Sequence, residues 1–211
     1  MDAKVRKTGT KERIRDVAIE LFSQEGYHAV SIRQIAAKVN ISDSTIYSHY
    51  KSKEDIMNKI IEYLIDEFRY NSTKMPIDKI LEELSPEDAI KNAVIPMIEQ
   101  LRVPHIRKIL RLMCIELYRN ETVQDFFKNQ YIEPSYELFS YLFQKMMDEG
   151  YIMKYDTKLL AIEFFNHCLY LLFECFLINY NENTYDILID SVIQKLSNHV
   201  KFMFDMVTRR E

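Results

Sequence analysis

Between Ser42 and Lys53 the chain reads SDSTIYSHYKSK, a stretch rich in groups that hydrogen-bond and poor in groups that pack. Asp43, Ser44, Thr45, Tyr47, Ser48 and His49 supply a carboxylate, three hydroxyls, a phenol and an imidazole, and Lys51 and Lys53 follow at once. Such groups suit phosphate oxygens and base edges better than they suit a core. Covalent chemistry is not written here. No nucleophile with a base, no carboxylate pair and no metal-ligand spacing is recognisable, and three glycines in 211 residues argue against a phosphate-cradling loop. The expectation is therefore a binding protein with no catalytic residues, no cofactor and no metal.

These side chains need elements to position them. Ser31 and Gln34 have capping-box spacing, which predicts a helix from Ile32 whose Ile32, Ile35, Ala36 and Val39 share one face while Arg33, Gln34 and Lys38 point away. Asn40 stands where the chain must reverse, and Asn tolerates the left-handed conformation such a turn needs. Ile41 returns to the core. Ser42 then caps a second helix of about seven residues, locked down by Ile46 and Tyr50, four apart. Helix, turn and short helix with a polar outer face is the helix-turn-helix arrangement, which lays its second helix in the DNA major groove. Spacing alone leaves open an ordinary helical hairpin with a solvated face.

Further residues add to the pattern. Phe22 to Tyr27 (FSQEGY), Ile35-Ala36, Val39-Asn40-Ile41-Ser42, Thr45-Ile46-Tyr47, His49-Tyr50 and Lys51-Ser52-Lys53-Glu54 stand in one order and spacing over roughly residues 10 to 56. In this the chain resembles the DNA-binding domain of the TetR family of bacterial transcriptional regulators. It departs from the family pattern at Asn40, where Gly is usual, at Asp43, where a basic or neutral residue is common, and at Ser44, where Gly or another small residue is common. The resemblance implies DNA contacts from Ser42, Ser44, Thr45, Tyr47, Ser48, His49 and Lys51, with Lys53 beside them. Arg33, on the outer face of the preceding helix, joins this set. Asp43 either accepts from a cytosine amine or caps the helix.

The charge is unevenly spread. Residues 1–53 hold ten Lys and Arg against six Asp and Glu, which leaves 18 against 26 for the rest of the chain. A basic head on an acidic body fits a DNA reader whose bulk stays off the duplex. Cys114, Cys168 and Cys175 lie in apolar helical stretches without metal-ligand spacing and read as buried small hydrophobes in a reducing cytosol. The N-terminus carries charges with no apolar run behind them, so no signal peptide is expected. Residues 159–178 are the most apolar stretch, but Glu163, Asn166, His167 and Glu174 interrupt it, which argues against a membrane span.

Periodicity predicts helices throughout, hence an all-α protein. Residues 1–9 read as a frayed basic arm, and residues 1–53 as the helix-turn-helix domain, its first helix capped by Thr10 and ended by Gly26. Ser52 and Asp55 cap a bridging helix over 53–70, and a polar shift over 71–76 sets off a second helical domain, 71–211, for ligand binding and dimerisation. There, Ser85 starts a helix to about Leu101 that Pro96 should kink or split. Pro104 opens another to Tyr118. Thr122 caps one to Glu149, bent near Pro134. Asp156 caps the helix 157–180, and Asn183 caps the last. His105 and His199 read as surface residues.

The helix 157–180 is apolar nearly all round, so it is either the centre of a monomer or, with the last helix, half of a four-helix homodimer interface as the resemblance implies. Its polar stripe of Glu163, Asn166 or His167, Tyr170 and Glu174 bonds internally, crosses that interface or lines a ligand cavity. Met97, Met113, Tyr136, Phe139 and Phe165, with His167, Tyr170 and Glu174, are candidate contacts for a small apolar or aromatic ligand, although core filling explains most of them equally well. The resemblance thus implies a cytoplasmic repressor that binds a palindromic double-stranded operator as a dimer and is released by a ligand. A ligand-independent or partner-controlled regulator, or an enzyme with a helix-turn-helix appendage, are the alternatives.

Overall fold

The computed structural model describes residues 9–71 and 83–208, and among these every regular element is helical. The basic arm over residues 1–8 and the polar shift over residues 72–76 lie outside the described residues. Four helices come first: α1 (Thr10–Glu25), α2 (Ile32–Val39), α3 (Asp43–His49) and the long α4 (Lys53–Asn71). Gly9 occupies the N-cap of α1 without a side-chain bond, so Thr10 is the first helical residue and not the cap. Gly26 ends α1 at φ 85°, a conformation that a side chain would strain.

Six more helices follow the undescribed stretch. They are α5 (Pro86–Glu99), α6 (Pro104–Glu116), α7 (Glu121–Asp125), α8 (Glu133–Asp148), α9 (Thr157–Phe173) and α10 (Tyr185–Val207). Ser85 caps α5 with Pro86 in its first turn. Pro96 does not split that helix, which runs on to Glu99 and tightens into a 3-10 turn over Gln100–Arg102. The cap before α7 is Asn120, whose side chain accepts from the Val123 amide, where Thr122 was expected. A π segment, Phe126–Ile132, joins α7 to α8 just ahead of Pro134. Proline has no N–H to donate and crowds the carbonyl four residues back, so the expected distortion falls one turn upstream. A second π segment, Glu174–Ile178, ends the α9 run. Before α10 it is the Asn181 side chain that accepts, from the Asn183 amide, so Asn183 is not the cap.

One hydrophobic core runs from Ile14 on α1 to Val207 on α10. Helices α8 and α9 lie against each other over most of their length, α10 packs on α5, and α6 packs on α1. Two stacked cations fasten the start of α10 and the segment before it to α6: Arg107 and Arg111, one turn apart, stand 4.3 and 4.0 Å from the ring centres of Tyr185 and Tyr180. The run Thr157–Ile178 is long and apolar enough to cross a membrane by composition, yet its inner side carries core residues such as Phe164, Phe165 and Cys175. Only 33% of its most apolar window is buried. Leu159, Tyr170, Leu177 and Ile178 on this run stay exposed, as do Ile187, Phe202 and Met206 on α10.

Candidate nucleic-acid interface

The short helices of the head hold their shape through side-chain bonds to backbone. Ser31 and Gln34 form the reciprocal capping box, and Asn40 adopts the left-handed conformation at φ 61°. Arg13 reaches from α1 to the carbonyl of Val39 at 2.9 Å, closing the end of α2. Tyr50 donates its hydroxyl to the Lys11 carbonyl at 2.9 Å, and burial pushes its pKa up to about 12, so it stays a donor. A seven-residue helix is not stable by itself. Here α3 is held by Ile46 and Tyr50 beneath it and by the Ser42 cap before it.

The other side of α3 is free of the core. Asp43, Ser44, Ser48 and His49 are exposed, Tyr47 is 57% exposed, and Thr45 is half-buried. Ser42 accepts from the Thr45 amide at 3.2 Å and shares hydrogen bonds with the hydroxyls of Ser44 (2.7 Å) and Thr45 (2.8 Å). Ser48 donates to the Thr45 carbonyl. The hydroxyls are thus ordered before anything binds, and Asp43 sits in the first turn, where a negative charge favours the helix. Lys51 and, on α2, Arg33 are also exposed.

Lys53 is turned the other way. Its ammonium donates to the carbonyls of Tyr27 (2.9 Å) and Val30 (3.0 Å) and stands 4.4 Å over the Tyr27 ring. Burial lowers its pKa while Glu116 works in the opposite direction. In place of an outward phosphate contact, this side chain ties the start of α4 to the corner between α1 and α2. Sequence reasoning also missed Glu116, the last residue of α6, which is 1% exposed. Its Oε1 accepts from the Tyr27 amide at 3.0 Å and its Oε2 lies 4.0 Å from His28 Nε2. A signal existed, since Glu116 falls in phase with Ile106, Ile109, Leu110 and Met113, and a charge on an apolar stripe needs a partner.

The same seam continues along α1 and α6. Lys108 pairs with Glu20, and His105 lies 3.7 Å from Asp16. Arg15 stacks 4.0 Å from the Tyr63 ring, which meets His105 edge-on at 5.3 Å. His105 is therefore not a surface residue; burial holds its pKa below the ordinary value.

Residues 14–60 match the family profile described as bacterial regulatory proteins, tetR family. Over that stretch the chain is similar to the TetR family. YerO, an uncharacterized HTH-type transcriptional regulator of Bacillus subtilis (strain 168), is 30% identical over 117 residues, 56% of this chain and 40% of YerO. IcaR, the negative transcriptional regulator of the biofilm operon icaADBC in Staphylococcus epidermidis, is 42% identical over 60 residues, 26% of this chain and 32% of IcaR. The chain thus spans two fifths or less of the length of these two relatives that it matches. A crystal structure of AibR in complex with isovaleryl coenzyme A and operator DNA superposes at a TM-score of 0.64 with 15% identity, over 89% of this chain and 97% of AibR. At that identity the likeness is one of fold.

The body holds a partly open cavity of about 140 Å³ between α5, α8, α9 and α10. Met97, Phe139 and Phe165 line it. The other candidate ligand contacts lie elsewhere. Met113 is fully buried core. Tyr136 points to a different cleft and donates to Asn166 at 2.8 Å. Tyr170 is exposed. Glu174 pairs with Lys195 at 2.6 Å. His167 stacks on His199, ring centres 3.9 Å apart, so His199 is not a free surface residue either. The helix is wider than one stripe, and the sequence does not tell which of its faces meets α8.

Proposed function

We propose that this chain is a transcriptional repressor that binds a palindromic double-stranded operator as a homodimer and is released when a small ligand enters its body. Residues 1–53 serve as the DNA-binding head, the helix from 53 to 70 as the bridge, and residues 71–211 as the ligand-binding and dimerisation body. The observation that carries the reading is the two-sided construction of α3, fixed below by Ile46 and Tyr50 and open above at Asp43, Ser44, Tyr47, Ser48 and His49. A helix so pinned delivers its outer side chains to a groove with little loss of order on binding. Ser42, Ser44, Thr45, Tyr47, Ser48 and His49 make the α3 contacts, Lys51 and Arg33 take phosphates, and Asp43 stays with the helix start.

Dimerisation through α9 and α10 is supported by the apolar side chains left uncovered there, Leu159, Ile178, Ile187, Phe202 and Met206 among them. Two-fold symmetry sets two α3 helices about one helical turn of DNA apart, roughly 34–36 Å or somewhat more. The repressor sense is supported by the description of IcaR as a negative regulator, and ligand control by the apolar cavity in the body. The chain works in the cytosol, by binding and not by catalysis.

Selection from random duplexes tests this. The expected product is an inverted repeat bound by two protomers. Lys51→Ala should weaken all sequences alike and reduce the salt slope by about one, whereas Tyr47→Ala should change the preferred sequence. Absence of duplex binding at low salt would overturn the reading.

A further inference from the structure

We infer that the ligand is an uncharged amphiphile: a compact hydrocarbon body of about six to eight heavy atoms carrying a neutral hydrogen-bonding end such as an alcohol, ketone or amide. The inference rests on the ligand-release reading above and specifies its ligand. The size follows from the inner chamber, whose volume of about 140 Å³ is close to the roughly 150 Å³ at which an apolar protein cavity takes up benzene. The chemistry follows from its walls. Among the described residues that line it there is no Asp, Glu, Lys, Arg or His; Val94, Met97, Leu138, Phe139, Phe165 and Leu196 are typical of them.

The polar atoms of the wall do not supply a counter-charge. Ser135 donates its hydroxyl to the Tyr131 carbonyl at 2.6 Å. Burial pushes the Cys168 thiol up to about 12 and raises Cys175 as well, so both stay neutral. An ionised group placed in such a chamber would lose its hydration with nothing to replace it.

A second cleft of about 470 Å³ adjoins the chamber and shares Met97, Tyr131, Ser135 and Leu138 with it. The remaining described residues around it include Asn129 and Gln130 of the first π segment and again no charged side chain; the Asn129 amide nitrogen donates to Asp125 at 2.6 Å, which leaves its carbonyl and the Gln130 amide as neutral hydrogen-bonding groups. π segments inside helices often mark functional sites. Ile65 of α4 closes the cleft on another side. An occupant with its body in the chamber and its head in this cleft would therefore touch the helix whose first residue, Lys53, holds the Tyr27 corner. Contact of that kind gives the ligand a way to prefer one position of α4, which is what a shift between two states requires.

Three probes with one chain and three heads decide the matter: 1-hexanol, hexanoate and hexylammonium, titrated at pH 7 into the full-length protein by calorimetry and, in parallel, into its complex with the selected operator. Saturable binding of hexanol, at least about tenfold tighter than either ion, together with weakened operator affinity, is the expected result. Hexanol preference with unchanged operator affinity would uphold the ligand class and sink the release mechanism. Equal or tighter binding of an ion would overturn the inference, and operator release by that ion would leave the release mechanism standing. No saturable binding by any probe would also overturn it. Narrowing the chamber with Cys168→Leu should abolish hexanol binding while duplex affinity persists; where that variant does not fold, the three-probe comparison on the native protein stands by itself.

Discussion

At the residue scale the polar groups of this chain divide by whether another part of the fold has claimed them. Lys51 and Lys53 are two positions apart and equal in type, yet one is exposed and the other spends two hydrogen bonds on backbone carbonyls. His167 and His199 are a second case. Their rings lie nearly parallel at 17°, and burial lowers both pKa values from the ordinary 6.5. Glu174 pulls His167 upward and Lys195 pushes it down, while His167 itself lowers His199. The unfolded chain therefore binds more protons than the folded one just below pH 6.5. The stabilisation is complete above that value and falls away as the pH drops toward the lowered folded values. His105 shifts in the same sense. Melting temperature should decline between pH 7.5 and 5.5, and the double variant His167→Gln/His199→Gln should show a shallower decline; an identical slope would remove the pair from the explanation.

At the element scale, α6 is the part of the body that touches the head most closely, and Glu116 is its tip. A carboxylate this deeply buried is kept by the Tyr27 amide it accepts from, with His28 and Lys53 nearby. Glu116→Gln keeps an acceptor in place, whereas Glu116→Ala leaves the Tyr27 amide without one. The alanine variant should lose about 1–3 kcal/mol in denaturant unfolding, with the glutamine variant closer to the parent. Loss of operator affinity in both, beyond what stability explains, would mark α6 as a positioning element for the α1–α2 corner. Unchanged stability in the alanine variant would contradict the hydrogen bond's importance. The capped helices were legible from local pattern, since Ser31, Asn40, Ser42, Ser85 and Asp156 each act within a few residues of themselves. Thr122 misled because Asn120, two residues earlier, reached the amide first, and of the kink or split expected at Pro96 the split does not occur.

At the scale of the molecule, an apolar surface on α9 and α10 remains after one copy of the chain has folded. Ile187 is 71% and Phe202 62% exposed, values out of keeping with a solvated helix face. On the proposed dimer, Phe202→Asp should leave monomers at micromolar concentration in sedimentation, and weaken binding to a full inverted repeat far more than to a half-site, because the second head would no longer be held at a fixed distance. A dimer that survives the change would place the interface elsewhere. The charge division between head and body suits the proposed arrangement, in which basic residues face a duplex and the acidic bulk stays away.

Sequence alone determined what depends on neighbours along the chain: helix starts and stops, the left-handed Asn40, the polar outer side of α3, and the likeness of residues 14–60 to one family of regulators. Tertiary structure decided what depends on which faces meet. It turned Lys53 inward, brought Glu116 under Tyr27 across 89 positions, stacked two histidines from different helices, and set Met97, Phe139 and Phe165 around one chamber while leaving Tyr136 and Tyr170 outside it. A helical period fixes the angle between side chains on one helix, but the rotation of that helix against its partners is set by the packing of the whole core.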